Sequence, residues 1–348
     1  MITSLHVRSF TAFSEATLDF GKHLNIFVGE NASGKTHLLK LAYSVLAASW
    51  EEGRQSNATD PAGSRLAGRL GDKLVNVFRA ERLGHLTRQS NPPERCEVRM
   101  AFTNVAWDIS FSFSRDQRIG VAVAALPTSF VDAAPIYLPT RELLTLYPGF
   151  VSLYAGRYLE FEETWYDTCI LLGLPLKKGV EEQRVRALLA PLEKAMGGAI
   201  ELDKTGRFYF HGATGRLEMP LVAEGLRKLG MLARLIATGA LLDKGCLFWD
   251  EPEANLNPSI LREVARSIVE LSLGGIQIFI ATHSLFLLRE IEMMLEDGKS
   301  GIDARFFSLR RSDDGVLVQQ GPSPADMGEI AVLREELKQS DRFLGLGG

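Results

Sequence analysis

The stretch Gly29-Glu30-Asn31-Ala32-Ser33-Gly34-Lys35-Thr36 constrains this chain more than any other feature of its sequence. Before it comes Leu24-Asn-Ile-Phe-Val28, a short run rich in strand formers. After it comes His37-Leu-Leu-Lys-Leu-Ala-Tyr-Ser-Val-Leu-Ala-Ala, whose apolar residues recur at helical spacing. A strand, a glycine loop and a helix in that order let backbone amides turn inward around a polyphosphate, helped by the positive end of the helix. Lys35 brings a cation to the outer phosphates, and the Thr36 hydroxyl is of the kind that ligates Mg²⁺. A chance glycine loop accounts poorly for the motif with both neighbours present.

Two later apolar runs end in polar residues suited to the same chemistry. Leu247-Phe-Trp-Asp250-Glu251-Pro252-Glu253 reads as a buried strand with acids at its C-terminal edge, where ligands bind in parallel α/β sheets. Asp250 is the candidate Mg²⁺ ligand, and Glu251 the candidate group that orients or deprotonates an attacking water. Ile278-Phe-Ile-Ala-Thr282-His283-Ser284 is a third such strand, with His283 available to hydrogen-bond a γ-phosphate. A strand-end acid pair or a lone histidine is ordinarily a surface or core feature. The phosphate loop upstream reverses that ordering, and Lys35, Glu251 and His283 become the expected catalytic set.

The bulk numbers narrow the class. Hydrophobic residues at 46% and charged residues at 24% of 348 fit a soluble globular protein with a substantial core. A net charge of −4 gives no global basic field, so a nucleic-acid partner needs a local patch. Arg54, Arg65, Arg69, Lys73, Arg79, Arg82 and Arg88 offer one, and Lys177, Lys178, Arg184 and Arg186 another. Glu51, Glu52, Glu81, Glu181 and Glu182 are interspersed, which favours solvated helix faces. Cys96, Cys169 and Cys246 are scattered and odd in number, which fits a reducing, cytoplasmic setting without a disulfide framework. No signal peptide is visible, and no apolar run approaches the ~18–20 residues of a membrane span.

Along the chain, residues 4–10 and 16–20 alternate like half-buried strands, and 51–63 read as a solvated loop. Residues 96–103, 107–114 and 119–126 suggest an antiparallel sheet, with a hairpin turn at 114–118. Residues 150–196 are mostly helical, and aromatic residues from Phe150 to Tyr166 form a packing face there before a docking face. Residues 199–202 and 208–211 suggest a hairpin, 224–242 a helix, and 327–340 a short helix in the tail. The expected division is an N-terminal lobe (1–149), a helical insertion (150–200), a C-terminal lobe (201–320) and a tail (321–348).

The motif order of phosphate loop, Asp-Glu-Pro and Thr-His-Ser resembles the ABC-type ATPases. Within them it resembles the branch of the structural-maintenance-of-chromosomes (SMC) proteins, RecF and the overcoming-lysogenisation-defect nucleases. Pro139-Thr-Arg-Glu-Leu-Leu-Thr-Leu-Tyr-Pro-Gly-Phe-Val-Ser-Leu-Tyr and Glu251-Pro-Glu-Ala-Asn-Leu-Asn-Pro are similar to a compact prokaryotic subgroup found in anti-phage and toxin-like systems. The resemblance implies an α/β P-loop NTPase head with a mixed sheet, an antiparallel β subdomain and a small helical insertion. It implies ATP and Mg²⁺ as cofactors. It also implies an ATP-dependent homodimer in which the signature residues Ala223, Glu224 and Gly225, with Asn257 of the D-loop, cap the twin's nucleotide. Glu142, in the region of the Q-loop, becomes a candidate metal ligand, with Arg141 as the alternative contact. Ala223 stands where a serine is usual and Asn257 where an aspartate is usual, so slow turnover is expected. Losing one donor to developing charge costs ~10²–10³ in rate.

Three roles follow from the resemblance. One is an ATPase that regulates a separately encoded effector, a nuclease or a toxin, in a defence system. The second is a DNA-binding repair or chromosome-maintenance factor. The third is an ATP-held scaffold with negligible turnover, in a dimer or a higher assembly.

Overall fold

The computed structural model of the 348-residue chain describes every residue except 56–61, 91, 93, 180–181, 243–244, 297–300, 329–338, 340–341 and 344–348. Strands β1 (Ile2–Phe10), β2 (Phe13–Asp19), β4 (Cys96–Phe102), β5 (Ile109–Phe113) and β6 (Ala122–Ala125) form an antiparallel sheet in the order β2-β1-β4-β5-β6. Their buried and exposed residues alternate, as expected of a sheet packed on one face.

The second sheet is built around central strands that are buried on both faces. Its order is β14-β13-β3-β12-β11-β7, with β3 at Leu24–Gly29, β7 at Ile136–Leu138, β11 at Cys246–Asp250, β12 at Gln277–Thr282, β13 at Ala304–Ser312 and β14 at Gly315–Gly321. All neighbours are parallel except the β13–β14 hairpin. Alternate residues of each strand enter different cores. Leu24, Ile26, Val28, Leu247, Trp249, Ile278, Ile280 and Phe306 face one, and Phe27, Phe248, Phe279 and Phe307 face the other. Such strands read as continuous apolar runs because helices or a second sheet cover both sides.

The second core lies between the two sheets and encloses α1 (Lys35–Gly53), which is buried on nearly all sides, with α2 (Ala62–Phe78) beside it. The first core packs α6 (Glu224–Ala237), α7 (Pro258–Leu273) and α8 (Leu285–Glu296) on the opposite face. It extends to α3 (Tyr147–Ala155), α4 (Glu163–Leu172) and α5 (Glu182–Met196). A third, three-stranded sheet joins this region: β8 (Gly198–Leu202), β9 (Phe208–Gly212) and β10 (Gly215–Glu218). The two larger sheets meet where Asp19 N–H donates to Gln320 Oε1 at 2.9 Å.

Several sequence expectations change. Residues 51–53 continue α1 and 62–63 begin α2, so the solvated loop is shorter than 51–63, and its centre lies outside the described residues. The segment 117–121 does not pair as a hairpin arm. Gln117 and Arg118 carbonyls accept from Gly84 and Leu83, and Val121 N–H donates to Ala67, so its backbone is committed elsewhere. Helix α6 ends at Ala237, where Gly239 N–H closes an i→i−3 bond to Ile236. The β13–β14 hairpin was not anticipated. Of the expected tail helix, Met327 ends a 3-10 turn (Pro324–Met327), and most of the remainder lies outside the described residues.

Candidate nucleotide site

The phosphate loop joins the C-terminal end of β3 to the start of α1, where the parallel strands also deliver β11 and β12. Gly34 caps α1 with φ of +89°, and the Phe13 ring lies 2.6 Å from where a Cβ would stand, so both conformation and space require glycine. Lys35 is buried, and its Nζ donates to the carbonyls of Gly29 at 2.6 Å and Glu30 at 2.9 Å. Burial lowers its pKa against the opposing pull of Glu251, Asp250, Glu253 and Glu30.

Thr36 and Asp250 are 214 residues apart, yet the Thr36 hydroxyl lies 3.0 Å from both carboxylate oxygens of Asp250. Tyr137, from β7, donates its phenol to Asp250 Oδ2 at 3.4 Å. Burial raises the Asp250 carboxyl to about 6, with the Thr36 hydrogen bond working against the shift. A buried carboxylate with hydroxyl company and unmet demand for positive charge is a fitting oxygen ligand for a hard cation.

Glu251 follows β11 in the left-handed region, φ +47°, and its N–H donates to Ala281 O at 2.8 Å. Its Oε1 stands 3.6 Å from His283 Nδ1. Glu253 binds the β12 exit more closely. Its Oε1 accepts from Thr282 Oγ1 at 2.8 Å and His283 N–H at 2.9 Å, and lies 3.2 Å from His283 Nδ1. Sequence reasoning gave Glu253 no role, although it sits in the same Asp-Glu-Pro-Glu run.

The remaining candidates lie elsewhere. Ala223, Glu224 and Gly225 open α6, with no side-chain cap at Ala223. Among the described residues no hydrogen bond or ion pair joins them to residues 29–36. Gly225 is pressed against the D-loop of its own protomer, since a Cβ there would meet Asn255 O at 2.7 Å. Asn257 is exposed and caps α7, its Oδ1 accepting from Ile260 N–H at 3.0 Å. Glu142 is engaged elsewhere: its carboxylate accepts from Thr145 and pairs with Arg227 at 3.2 Å. Arg141, the alternative contact, lines a cavity of about 220 Å³ with Thr36, Asp250, Lys40, Glu162 and Trp165. Lys40 and Glu162 pair across that cavity at 2.5 Å and tie α1 to the start of α4. Lys40 lies one helical turn beyond Thr36, which was the available signal; its partner could not be read from spacing.

The basic residues of α2 are not free. Arg65 pairs with Glu52, Arg69 with Glu51 and Glu52, and Lys73 with Glu51, Glu163 and Asp167. All three cysteines are unbridged and buried. No helix among the described residues is long and apolar enough to cross a membrane.

The chain is similar to known proteins in two segments of its sequence and in its fold. Residues 170–289 match the family described as "AAA domain, putative AbiEii toxin, Type IV TA system", and residues 4–42 match one described as "AAA domain". The DNA replication and repair protein RecF of Shouchella clausii is 44% identical over 45 residues, 13% of this chain and 12% of RecF. That of Streptococcus thermophilus is 43% identical over 42 residues, 12% of each. The chain thus spans about an eighth of the length of the curated relatives it matches. An SMC head solved with the C-winged helix domain of ScpA superposes with a TM-score of 0.60 at 15% identity, covering 94% of this chain and 99% of that one. An SMC head with an extended coiled coil, solved with the C-terminal domain of ScpA derived from Pyrococcus furiosus, gives a TM-score of 0.54 at 13% identity. It covers 98% of this chain and 99% of that one. The fold is that of the SMC heads, and in motif order the chain is similar to the ABC-type ATPases of the SMC and RecF branch.

Proposed function

We propose that the protein binds Mg·ATP at Gly29–Thr36 and hydrolyses it slowly, closing around the nucleotide as a homodimer, and that this cycle regulates a separately encoded effector of a prokaryotic anti-phage or toxin-like system. The observation that carries the chemistry is the convergence of Thr36 on both Asp250 oxygens beside Lys35, with Glu251 and His283 at the next strand ends. Thr36 and Asp250 would hold Mg²⁺, which would offset the charge of the outer phosphates. Lys35 neutralises the β/γ oxygens. Glu251 orients the attacking water and accepts its proton, and His283, itself positioned by Glu253, donates to the γ-phosphate. The uncapped amides of α6 at Ala223–Gly225, with Asn257 nearby, meet the twin's γ-phosphate, two sites closing about a two-fold axis. Residues 150–200 act as the insertion that faces the partner. The effector reading is supported by the toxin-system family matching 170–289, and the partner reading by similar SMC heads solved with ScpA domains.

The test is phosphate release and calorimetric ATP binding for the parent, Glu251→Gln and Lys35→Ala, with co-purification of genomic neighbours with and without a non-hydrolysable analogue. Expected are binding without turnover for Glu251→Gln and no binding for Lys35→Ala. Equal, negligible turnover in the parent and Glu251→Gln would leave only the scaffold. The RecF matches support a second reading, a DNA-binding repair ATPase. Salt-sensitive DNA binding by the parent would favour it.

A further inference from the structure

Lys228 lies one turn into α6, four residues beyond Glu224, and its side chain is 2% exposed. Helix packing asks for no ammonium there: Leu229, Leu232 and Ile236 supply the apolar face, and an unbranched apolar side chain would fill the space without desolvating a charge. The ammonium is directed at a peptide group instead. Lys228 Nζ donates to the carbonyl of Glu251 at 2.5 Å.

That carbonyl belongs to a residue in the left-handed region, where a non-glycine side chain persists only if its surroundings over-determine it. The N–H side of Glu251 is held by Ala281 O of β12, and the C=O side by Lys228 of α6. Both peptides flanking its Cα are therefore fixed, and the carboxylate is left facing His283. The charges that act most strongly on Lys228 are acidic, namely Glu253, Glu251, Asp250 and Glu224. The ammonium thus also moderates the repulsion among carboxylates crowded at the strand ends. Arg227, its chain neighbour, pairs outward with Glu142. One turn of α6 therefore grips both the β11 exit and the 139–145 segment.

We propose that Lys228 is a positioning residue for Glu251, fixing the peptide after β11 so that the carboxylate is aimed at the attacking water. This rests on the ATPase reading above. Helix α6 then carries two tasks within five residues: its first amides meet the twin's nucleotide, and Lys228 holds the glutamate of its own protomer.

The test compares Lys228→Met and Lys228→Arg with the parent, using phosphate release at saturating Mg·ATP, calorimetric ATP binding and thermal melting. For Lys228→Met the expected result is a fall of about 10–100-fold in kcat, the scale of an ångström-sized misplacement. ATP affinity should stay within about twofold of the parent, the pattern of a group acting only in the transition state. Lys228→Arg keeps charge and donor and should recover part of the rate. In a Glu251→Gln background the Met substitution should add nothing, because both changes act through one carboxylate. Parent-like kcat in Lys228→Met overturns the positioning role alone. So does loss of ATP binding in both variants, which would assign Lys228 to folding. Absence of turnover in the parent overturns the ATPase reading and this role with it.

Discussion

Replacing Gly225 by alanine is expected to leave ATP uptake intact and to weaken ATP-driven association of two copies. A Cβ at this position would stand 2.7 Å from Asn255 O and 3.1 Å from Leu256 Cδ2. The leucine can turn aside, but the carbonyl cannot. Asn255 is in the left-handed region, and Leu256 N–H is bonded to Glu253 O at 3.1 Å. Relief therefore requires the start of α6 to move by a few tenths of an ångström. Overpacking of this kind costs about 1–3 kcal/mol. Alanine's better helix propensity offsets at most about 0.5–1 kcal/mol. The net loss of roughly 1–2 kcal/mol is small beside a typical stability of about 5–15 kcal/mol, so the chain stays folded. Helix α6 packs in the first core and α1, which follows the phosphate loop, in the second, so affinity for ATP in one protomer should not change. The amides of Ala223–Gly225, however, shift at the surface where the twin's γ-phosphate would lie. A loss of about 1.4 kcal/mol there is tenfold in association. Sedimentation with Mg·ATP in a Glu251→Gln background reads it directly, with calorimetry as the control. Gly225→Ala protein that dimerises as tightly as its parent, with the same melting temperature, would refute the reasoning from the close approach onward.

Further outcomes follow from the charges. Burial raises the Asp250 carboxyl to about 6, so the folded chain binds a proton that the unfolded chain has released across the window from roughly pH 4 to 6. Stability of the nucleotide-free protein therefore falls as pH rises through that window. Asp250→Asn should be more stable than the parent at pH 7, by up to about 3 kcal/mol, while losing Mg²⁺-dependent ATP affinity. A urea midpoint lower than the parent's at pH 7 would contradict this. Lys73 is buried among Glu51, Glu163 and Asp167. Burial alone would lower its pKa, but the carboxylates raise it far above the ordinary lysine range. Lys73→Met strands three acids and should cost about 3–5 kcal/mol, read by denaturant unfolding, with little change in ATP affinity. A cost under about 1 kcal/mol would mean that these acids are solvated well enough without the lysine.

The sequence made the site's strand-borne residues legible because each depends on local order. A phosphate loop needs only a strand, glycines and a helix, and the two acidic or histidine-bearing strand ends follow from apolar runs of the right length. Less visible were the groups whose meaning is tertiary. Lys40 looks like a solvated helix residue until Glu162 arrives from 122 positions away. Lys228 reads as part of a basic pair, Arg227-Lys228, yet one partner is Glu142 and the other a backbone carbonyl at Glu251. Glu142 looked free to bind metal only because Arg227 could not be placed. The interspersed Glu51 and Glu52 do pair with Arg65 and Arg69 of α2, as their proximity in sequence suggests. The hairpin of β13 and β14 escaped because its strands mix arginines and polar residues, Ser308 among them, with Phe306, Phe307 and Leu309. Its parallel neighbour β3 lies near the other end of the chain.

That last pairing bears on how the protein is made. Strand β3 hydrogen-bonds to β12 on one side and β13 on the other, both contributed by the final quarter of the polypeptide. A ribosome that has long since released the first forty residues still holds a half-finished cradle. Contacts of such sequence separation form late and slowly. Nucleotide capture should therefore begin only after translation has passed Ser312, and a nascent chain halted earlier should expose the apolar flanks of β3 to chaperones rather than to ATP.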